Sequence, residues 1–259
     1  MNDFNVKFGI IGIDHRHVYT QAQFLIELGA ELVGWYTEGS PTTLGGFTKR
    51  FPKAKRFADP RSLLEDPDIR VILTSAVPND RAKISISAMK HGKDVMSDKP
   101  GCLSFGDLEE LRQTVQQTGR IWSVDFSERF EVPAVTLASQ LVSDGAIGDV
   151  IHTLGLGPHR LNPESRPNWF FDPNQNGGIL ADIGSHQIDQ FLFFTKSESA
   201  EITLAGIWGT KSLQIFQILE KLLSDLKRQM AILDLIGLRQ MHCQHGVMAG
   251  YFYWEQKVL

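Results

Sequence analysis

Gly9-Ile10-Ile11-Gly12-Ile13-Asp14-His15-Arg16-His17 closes the first apolar run of the chain, and its reading decides the fold of the first half. Residues 6–13 are apolar and β-branched enough for a buried strand. An apolar face at helical spacing follows over 19–28, and a second strand-like run over 31–37. A strand, a turn opening on glycine, a helix and a second strand form a β-α-β unit, and ligands of such units sit beyond the carboxyl ends of the strands. A dinucleotide fingerprint requires glycine where the chain turns tightly and where backbone meets the pyrophosphate. Gly12 can serve as the first glycine, whereas Asp14 and His17 stand where the next two would be. Two readings stay open. In one, this is an ordinary turn with Asp14 capping the helix. In the other, Gly12, Ile13, Asp14, His15 and Arg16 bind a dinucleotide, Arg16 and the histidines offsetting the Asp14 carboxylate at a helix N-terminus that favours anions. Glu38, just past the second strand, is the candidate ribose ligand and would favour NAD over NADP; Thr37 and Ser40 are equally near in sequence.

Working outward, the alternation continues. A short helical turn at 62–64 stops at Pro67, and a β-branched strand at 71–76 ends at Val77-Pro78-Asn79. A helix over 82–91 is closed by Gly92, a strand follows at 94–97, a helix over 105–118 is capped by Ser104, and a last strand covers 121–126. This predicts an α/β fold, a Rossmann-type doubly wound parallel sheet over residues 1–126. Its strand ends bring Ser75, Pro78, Asn79, Asp98 and Lys99 to the cofactor side of the sheet. Pro100 biases Lys99 towards an extended backbone and gives its amine a defined direction, suited to orienting a hydroxyl or relaying a proton.

Composition narrows the classes. The chain has 259 residues, 42% hydrophobic and 22% charged, with a formal charge of −4 and a pI near 6.1. Nothing there suggests nucleic acid or membrane as partner. No apolar run reaches the ~18 residues of a membrane span, and the first residues lack the features of a secretory signal. Cys102 and Cys243 are the only cysteines, which fits a cytoplasmic setting without a disulfide framework.

Past residue 126 the pattern changes. A helix over 133–142 and a strand over 149–156 precede a proline-rich loop at 157–178, long enough for a substrate-side wall. Trp169, Phe170 and Phe171 in that loop could stack on a sugar or anchor the loop. Gly177-Gly178-Ile179-Leu180-Ala181-Asp182-Ile183-Gly184-Ser185-His186-Gln187-Ile188-Asp189 then sets Asp182, His186 and Asp189 at spacings of four and three, on one helical face. His186 titrates near neutrality and can take a hydroxyl proton as hydride leaves carbon, and Asp182 can orient the substrate or the imidazole. The same three could be read as metal ligands, but nothing nearby completes a site, and no metal is expected.

Two of these stretches resemble one family. The run from His91 to Pro100, with Asp98-Lys99-Pro100 for the usual Glu-Lys-Pro, the Pro78-Asn79 pair, and the Gly-Gly-x-Leu-x-Asp-x-Gly-x-His-x-x-Asp run are similar to the glucose–fructose oxidoreductase / inositol dehydrogenase (Gfo/Idh/MocA) type oxidoreductases, over about residues 4–205. The resemblance implies Lys99, Asp182 and His186 as catalytic residues, and His159, Arg160 and Trp169 on the substrate side. It also implies a second, α+β domain with a mainly antiparallel sheet. The implied activity is hydride transfer between NAD or NADP and a secondary hydroxyl of a sugar or polyol. Two alternatives stay open, a non-catalytic nucleotide- or sugar-binding regulator and an NAD-assisted lyase or hydrolase.

The final segment departs from the family. Read one base early, the codons of residues 229–238 can spell Asn-Gly-Tyr-Ile-Arg-Phe-Asp-Trp-Phe, and those of 238–258 can continue in strand-and-turn sequence resembling the family's C-terminal sheet. The expected organisation is therefore a nucleotide domain over 1–126, an incomplete α+β domain over 127–205 and an out-of-frame tail over 206–259. With the sheet incomplete, this chain is expected to be weakly active or inactive. The homo-oligomers of intact members are not expected of it.

Overall fold

Strand β1 (Lys7–Ile11) obeys the period-two rule of a strand buried on both faces. Phe8 and Ile10 enter one core cluster with Val18, Ala22, Trp35, Phe47 and Leu73. Ile11 enters the other with Leu63, Leu64, Ile72, Ile86, Met89 and Leu111. The computed structural model describes residues 6–156, 161–202 and 238–240.

After β1 come α1 (Val18–Glu27), β2 (Glu31–Tyr36), α2 (Leu44–Arg50), β3 (Lys55–Arg56), α3 (Arg61–Leu64) and β4 (Ile69–Thr74). These are followed by α4 (Pro78–Lys90), β5 (Asp94–Asp98), α5 (Phe105–Thr118) and β6 (Trp122–Asp125). The six strands run parallel in the order β3-β2-β1-β4-β5-β6. This is the doubly wound Rossmann arrangement, whose direction of winding reverses between β1 and β4.

Most elements lie where periodicity places them, and the differences have local causes. Helix α4 begins at Pro78, four residues before the apolar spacing suggests, because proline at the first helical position loses no hydrogen bond there. Asn79 therefore belongs to the first turn of α4 and not to a loop. Helix α2 escapes a sequence reading because it contains Gly45 and Gly46. A Cβ on Gly46 would come within 2.5 Å of the Tyr19 hydroxyl, so the glycine is there for close packing. Helix α5 has its Ser104 cap, whose hydroxyl accepts from the Asp107 amide at 3.0 Å.

The chain divides into two compact units, Met1–Ser127 with Ser165–Ala181, and Glu128–Glu164 with Asp182–Leu259. Helices α6 (Ser127–Phe130) and α7 (Pro133–Ser143) come next along the chain. The strand expected over 149–156 is not formed: residues 151–156 are irregular, and among the described residues no strand pairs with them. In the first unit, 3₁₀ turns and the short helix α8 (Pro173–Asn176) shape the proline-rich loop. In the second, a π-helical turn (Leu180–Gly184) leads into α9 (Ser185–Thr195). Strand β7 (Ala200–Ile202) pairs antiparallel with β8 (Leu238–Gln240). The out-of-frame reading of residues 206–259 lies, β8 apart, outside the described residues.

Helix α9 is fixed within its unit by an ion pair. Both oxygens of Asp189 accept from Arg129, at 2.6 and 2.9 Å. The guanidinium also lies 4.0 Å from the Phe130 ring centre and 4.9 Å from that of Phe193. Such a forked, aromatic-flanked geometry is what makes a buried arginine–carboxylate pair tolerable.

Candidate cofactor site

The turn after β1 is fastened on both sides at the winding reversal. The Gly12 amide donates to the Tyr36 carbonyl at 2.8 Å, the Ser75 amide to the Gly12 carbonyl at 3.1 Å, and the His15 amide to the Ser75 carbonyl at 2.8 Å. Gly12 has a φ of +83°, and a Cβ there would lie 2.4 Å from the Ala76 Cβ. Glycine is therefore required twice at this position, by conformation and by space. Ile13 turns its side chain into the core and uses its carbonyl to accept from the Thr43 hydroxyl. Asp14 does not cap α1: His17 holds that position, without a side-chain cap bond.

The histidines and Asp98 form a hub. His15 Nδ1 lies 2.8 Å from one Asp98 oxygen and His17 Nδ1 2.9 Å from the other. Buried Arg81 donates from Nη2 to the same carboxylate at 2.9 Å, and Gln21 Nε2 approaches it at 3.3 Å. Burial alone would push the Asp98 carboxyl up, but Arg81, His17 and His15 outweigh it and hold it well below the usual carboxylate range. An ionised carboxylate only accepts, so both Nδ1 atoms carry hydrogen, and in the neutral rings each Nε2 is the acceptor nitrogen. Burial lowers the His15 pKa to about 4 against the pull of Asp98. Burial, with Asp80 and Glu38 adding to it, raises that of Asp14 to about 6.

Gln21 extends the hub. Its Nε2 donates to Asp125 at 2.8 Å, and its Oε1 accepts from the Ser75 hydroxyl at 2.6 Å. Arg81 holds the lysine turn. Its Nη1 donates to the carbonyls of Asp98 (3.1 Å), Lys99 and Pro100 (3.2 Å), and its Nε to that of Ala76 at 2.8 Å. Lys99, in a cis peptide with Pro100, is 4% exposed.

The sequence therefore anticipates most of the groups that meet here, namely Gly12, Asp14, His15, Ser75, Asp98 and Lys99. His17, read there as part of the charge offset for Asp14, pairs with Asp98, and Gln21 and Asp125 are missed. The signal for Gln21 was its place one helical turn after His17, a polar residue on the face that α1 buries. Arg16, Glu38 and Asn79 are exposed at the rim, while Pro78 is buried. Trp169 sets its ring against His15, centroids 6.2 Å apart, beside the buried Phe170. Asp182 lies in the π-helical turn and His186 in α9, buried, so the single regular helical face expected for them is broken at Gly184. π-turns of this kind are frequent at functional sites. Lys99 falls in the first unit, Asp182 and His186 in the second. Asp189 gives both oxygens to Arg129 and is structural. His159 and Arg160 lie outside the described residues.

Do these residues fit a dinucleotide? A close glycine turn at the head of α1 supports it. So does Thr37, one residue past β2: it is 4% exposed, and among the described residues its hydroxyl has no partner, as expected of a group awaiting a ligand. For a metal ion, the described residues offer one cluster, His15, His17 and Asp98. Its carboxylate is already engaged by Arg81, which would oppose a cation. No described helix is long and apolar enough to cross a membrane.

Sheet order and turn together are those of a Rossmann-type dinucleotide-binding unit. The family models agree: residues 6–126 match the oxidoreductase family with NAD-binding Rossmann fold, and residues 135–209 match the GFO/IDH/MocA C-terminal domain. The chain belongs to the Gfo/Idh/MocA oxidoreductase family, a family of NAD(P)-dependent dehydrogenases.

Among its relatives is the levoglucosan dehydrogenase of Pseudarthrobacter phenanthrenivorans, 30% identical over 66% of this chain and 44% of that one. Another is the NAD-dependent scyllo-inositol 2-dehydrogenase of Bacillus subtilis, 28% identical over 57% and 42%. A crystal structure of an oxidoreductase from Erwinia carotovora atroseptica superposes with a TM-score of 0.77 at 37% identity, over 82% of this chain and 64% of that one. The chain thus spans about half the length of the curated relatives it matches.

Proposed function

We propose that the protein transfers a hydride between NAD or NADP and a secondary hydroxyl of a sugar or polyol. The observation that carries the reading is Asp98-Lys99-Pro100 at the end of β5, gripped by Arg81 beside the Gly12 turn, in a chain of this family. Bound NAD(P) supplies the hydride acceptor. Gly12, Ile13, Asp14, His15, Arg16, Ser75, Pro78, Asn79 and Asp98 would line the cofactor, with Glu38 or Thr37 at the adenosine ribose. As in the family's motif, His186 would take a hydroxyl proton at an imidazole nitrogen, Lys99 would hydrogen-bond a substrate oxygen, and Asp182 would orient the imidazole or the substrate. These three roles, and a substrate side formed by His159, Arg160 and Trp169, rest on the family resemblance.

Purified protein is titrated with NADH and NADPH, and NAD(P)H production is then followed with inositols, levoglucosan and other polyols. Lys99→Met should still bind cofactor and lose at least a hundredfold in kcat. Failure to bind either dinucleotide refutes the reading. Binding without turnover on any polyol favours a second reading, a nucleotide-binding regulator, which the two missing fingerprint glycines support. Release of fragments without net NADH would indicate the lyase or hydrolase.

The proposed organisation is a nucleotide domain over 1–126, part of the substrate domain over 127–205 and an out-of-frame tail beyond. Because the tail stands where the family's sheet would be, we expect activity well below that of the relatives, from a protein of the cytoplasm.

A further inference from the structure

We propose that the His15–His17–Asp98 hub takes up a proton when a dinucleotide binds, so that imidazolium charge replaces the two missing glycines of the phosphate turn. The inference rests on the cofactor reading above and adds a proton to it.

Four carboxylates stand at the turn, Asp14, Glu38, Asp80 and Asp98, against three fixed cations, Arg16, Arg81 and Lys99. Arg81 is consumed by Asp98 and the carbonyls behind it, and Arg16 is exposed to solvent. With neutral histidines the turn is therefore net negative, where a dianionic pyrophosphate is to rest. A glycine fingerprint solves this with backbone N–H groups brought close to the phosphates. Here Asp14 and His17 stand at two of the three glycine positions, and a different source of positive charge is needed.

The hub supplies one. Each imidazole already gives its Nδ1 hydrogen to Asp98, so a second proton can enter only at Nε2. A protonated imidazole stays bonded to the same carboxylate, and its charge is balanced by an anion on the other side. The groups facing His15 are Asp98 from β5, His17 and Gln21 from the start of α1, Arg81 from α4, Lys99 after β5 and the Trp169 ring from the proline-rich loop. Without an anion, burial keeps His15 uncharged at neutral pH, its pKa lowered to about 4. A phosphate within a few ångströms reverses that preference. Asp14 is the competing acceptor. It faces Asp80 and Arg81 from α4 and Glu38 after β2, and an anion would raise its pKa too.

The test is calorimetric and needs no turnover. NADH and NADPH are titrated into the protein in buffers of differing ionisation enthalpy, whose slope counts protons. The expected result is net proton uptake on dinucleotide binding that grows as the pH of the titration is lowered from 8 to 6, with affinity falling as pH rises by no more than about tenfold per unit. His15→Gln and His17→Gln, which keep a hydrogen-bond donor for Asp98, should reduce or abolish the uptake and flatten the pH dependence. Asp14→Asn should leave it in place. Should the glutamine variants fail to fold, the histidine Cε1–H resonances of the parent, followed during NADH addition, must move to imidazolium positions. Binding with no proton uptake overturns the inference and leaves the cofactor reading standing, as does uptake lost only in Asp14→Asn. No binding at any pH overturns both.

Discussion

Gly12→Ala isolates the geometry on which the site is built. At φ +83° the new residue would enter a left-handed conformation costing about 1–2 kcal/mol for a non-glycine residue. Its Cβ would also lie 2.4 Å from the Ala76 Cβ, 2.8 Å from its Cα and 3.0 Å from its amide nitrogen. Two of those atoms are backbone, pinned by the bonds that join Gly12 to β2 and β4, so relief requires the strand ends to separate. Overpacking of that kind costs about 1–3 kcal/mol. The sum, about 2–5 kcal/mol, is a large part of the ~5–15 kcal/mol that stabilises a typical domain. Gly119→Ala is the control. Its φ is +65°, yet no atom lies within 4 Å of the Cβ it would gain, and only the conformational part, about 1–2 kcal/mol, is expected there. Urea unfolding followed by tryptophan fluorescence reads both, since Trp35 is buried in the same unit. Gly12→Ala should lose about 1–3 kcal/mol more than Gly119→Ala. Equal losses in the two variants would mean that the strand ends yield freely, and the picture of a rigid turn would be wrong.

Three further outcomes are expected. Arg81→Leu should destabilise by about 3–5 kcal/mol because it leaves Asp98 buried without its cation; adding Asp98→Asn should recover part of that loss in a double-mutant cycle measured by the same unfolding assay. Asp14 binds its proton more tightly folded than unfolded, its pKa raised from 3.8 to about 6. Its contribution is thus fully present below pH 4 and is lost as pH rises through about 6, and Asp14→Asn should remove that slope from the pH dependence of Tm. Re-sequencing the coding DNA across the codons for residues 200–259 should reveal a one-base difference, or an open family-like frame beneath the recorded one; finding neither makes the tail a genuine replacement.

The parallel sheet was legible because burial on both faces leaves long apolar runs, and its helices are bounded by readable punctuation such as Ser104 and Gly92. What was not legible depends on neighbours remote in sequence. Gly45 and Gly46 disguise α2, and only the Tyr19 hydroxyl packed against Gly46 explains the second of them. The strand expected over 149–156 had the right composition, but composition cannot supply a partner strand. At the site, the residue types were readable and their relations were not. Asp98 read as a mild substitute for glutamate, and His15 and His17 as offsets to the Asp14 charge. Their pairing needs β5 and the β1 turn side by side, 81 and 83 residues apart in the chain. Asp189 shows the converse. Its spacing put it with Asp182 and His186, and the partner that claims it, Arg129, is 60 residues away.

The hub also indicates what its buried charge is for. Taking Asp98 and Arg81 out of water is expensive, and an apolar set of equal volume would often stabilise a fold as well or better. Stability is therefore a poor reason for the arrangement. Through one carboxylate and its partners, the β1 turn, α1, α4 and β5 are held together, and Gln21 carries the connection to β6. Hydrogen bonds are directional where apolar contacts are not, so the network fixes the position of Lys99 relative to the Gly12 turn within narrow limits. Misplacement by about an ångström can cost a hundredfold in rate at such a site. The energy given up in burying the ion pair is thus offset by pre-organisation of the Gly12 turn and the Lys99 backbone at the carboxyl ends of the strands.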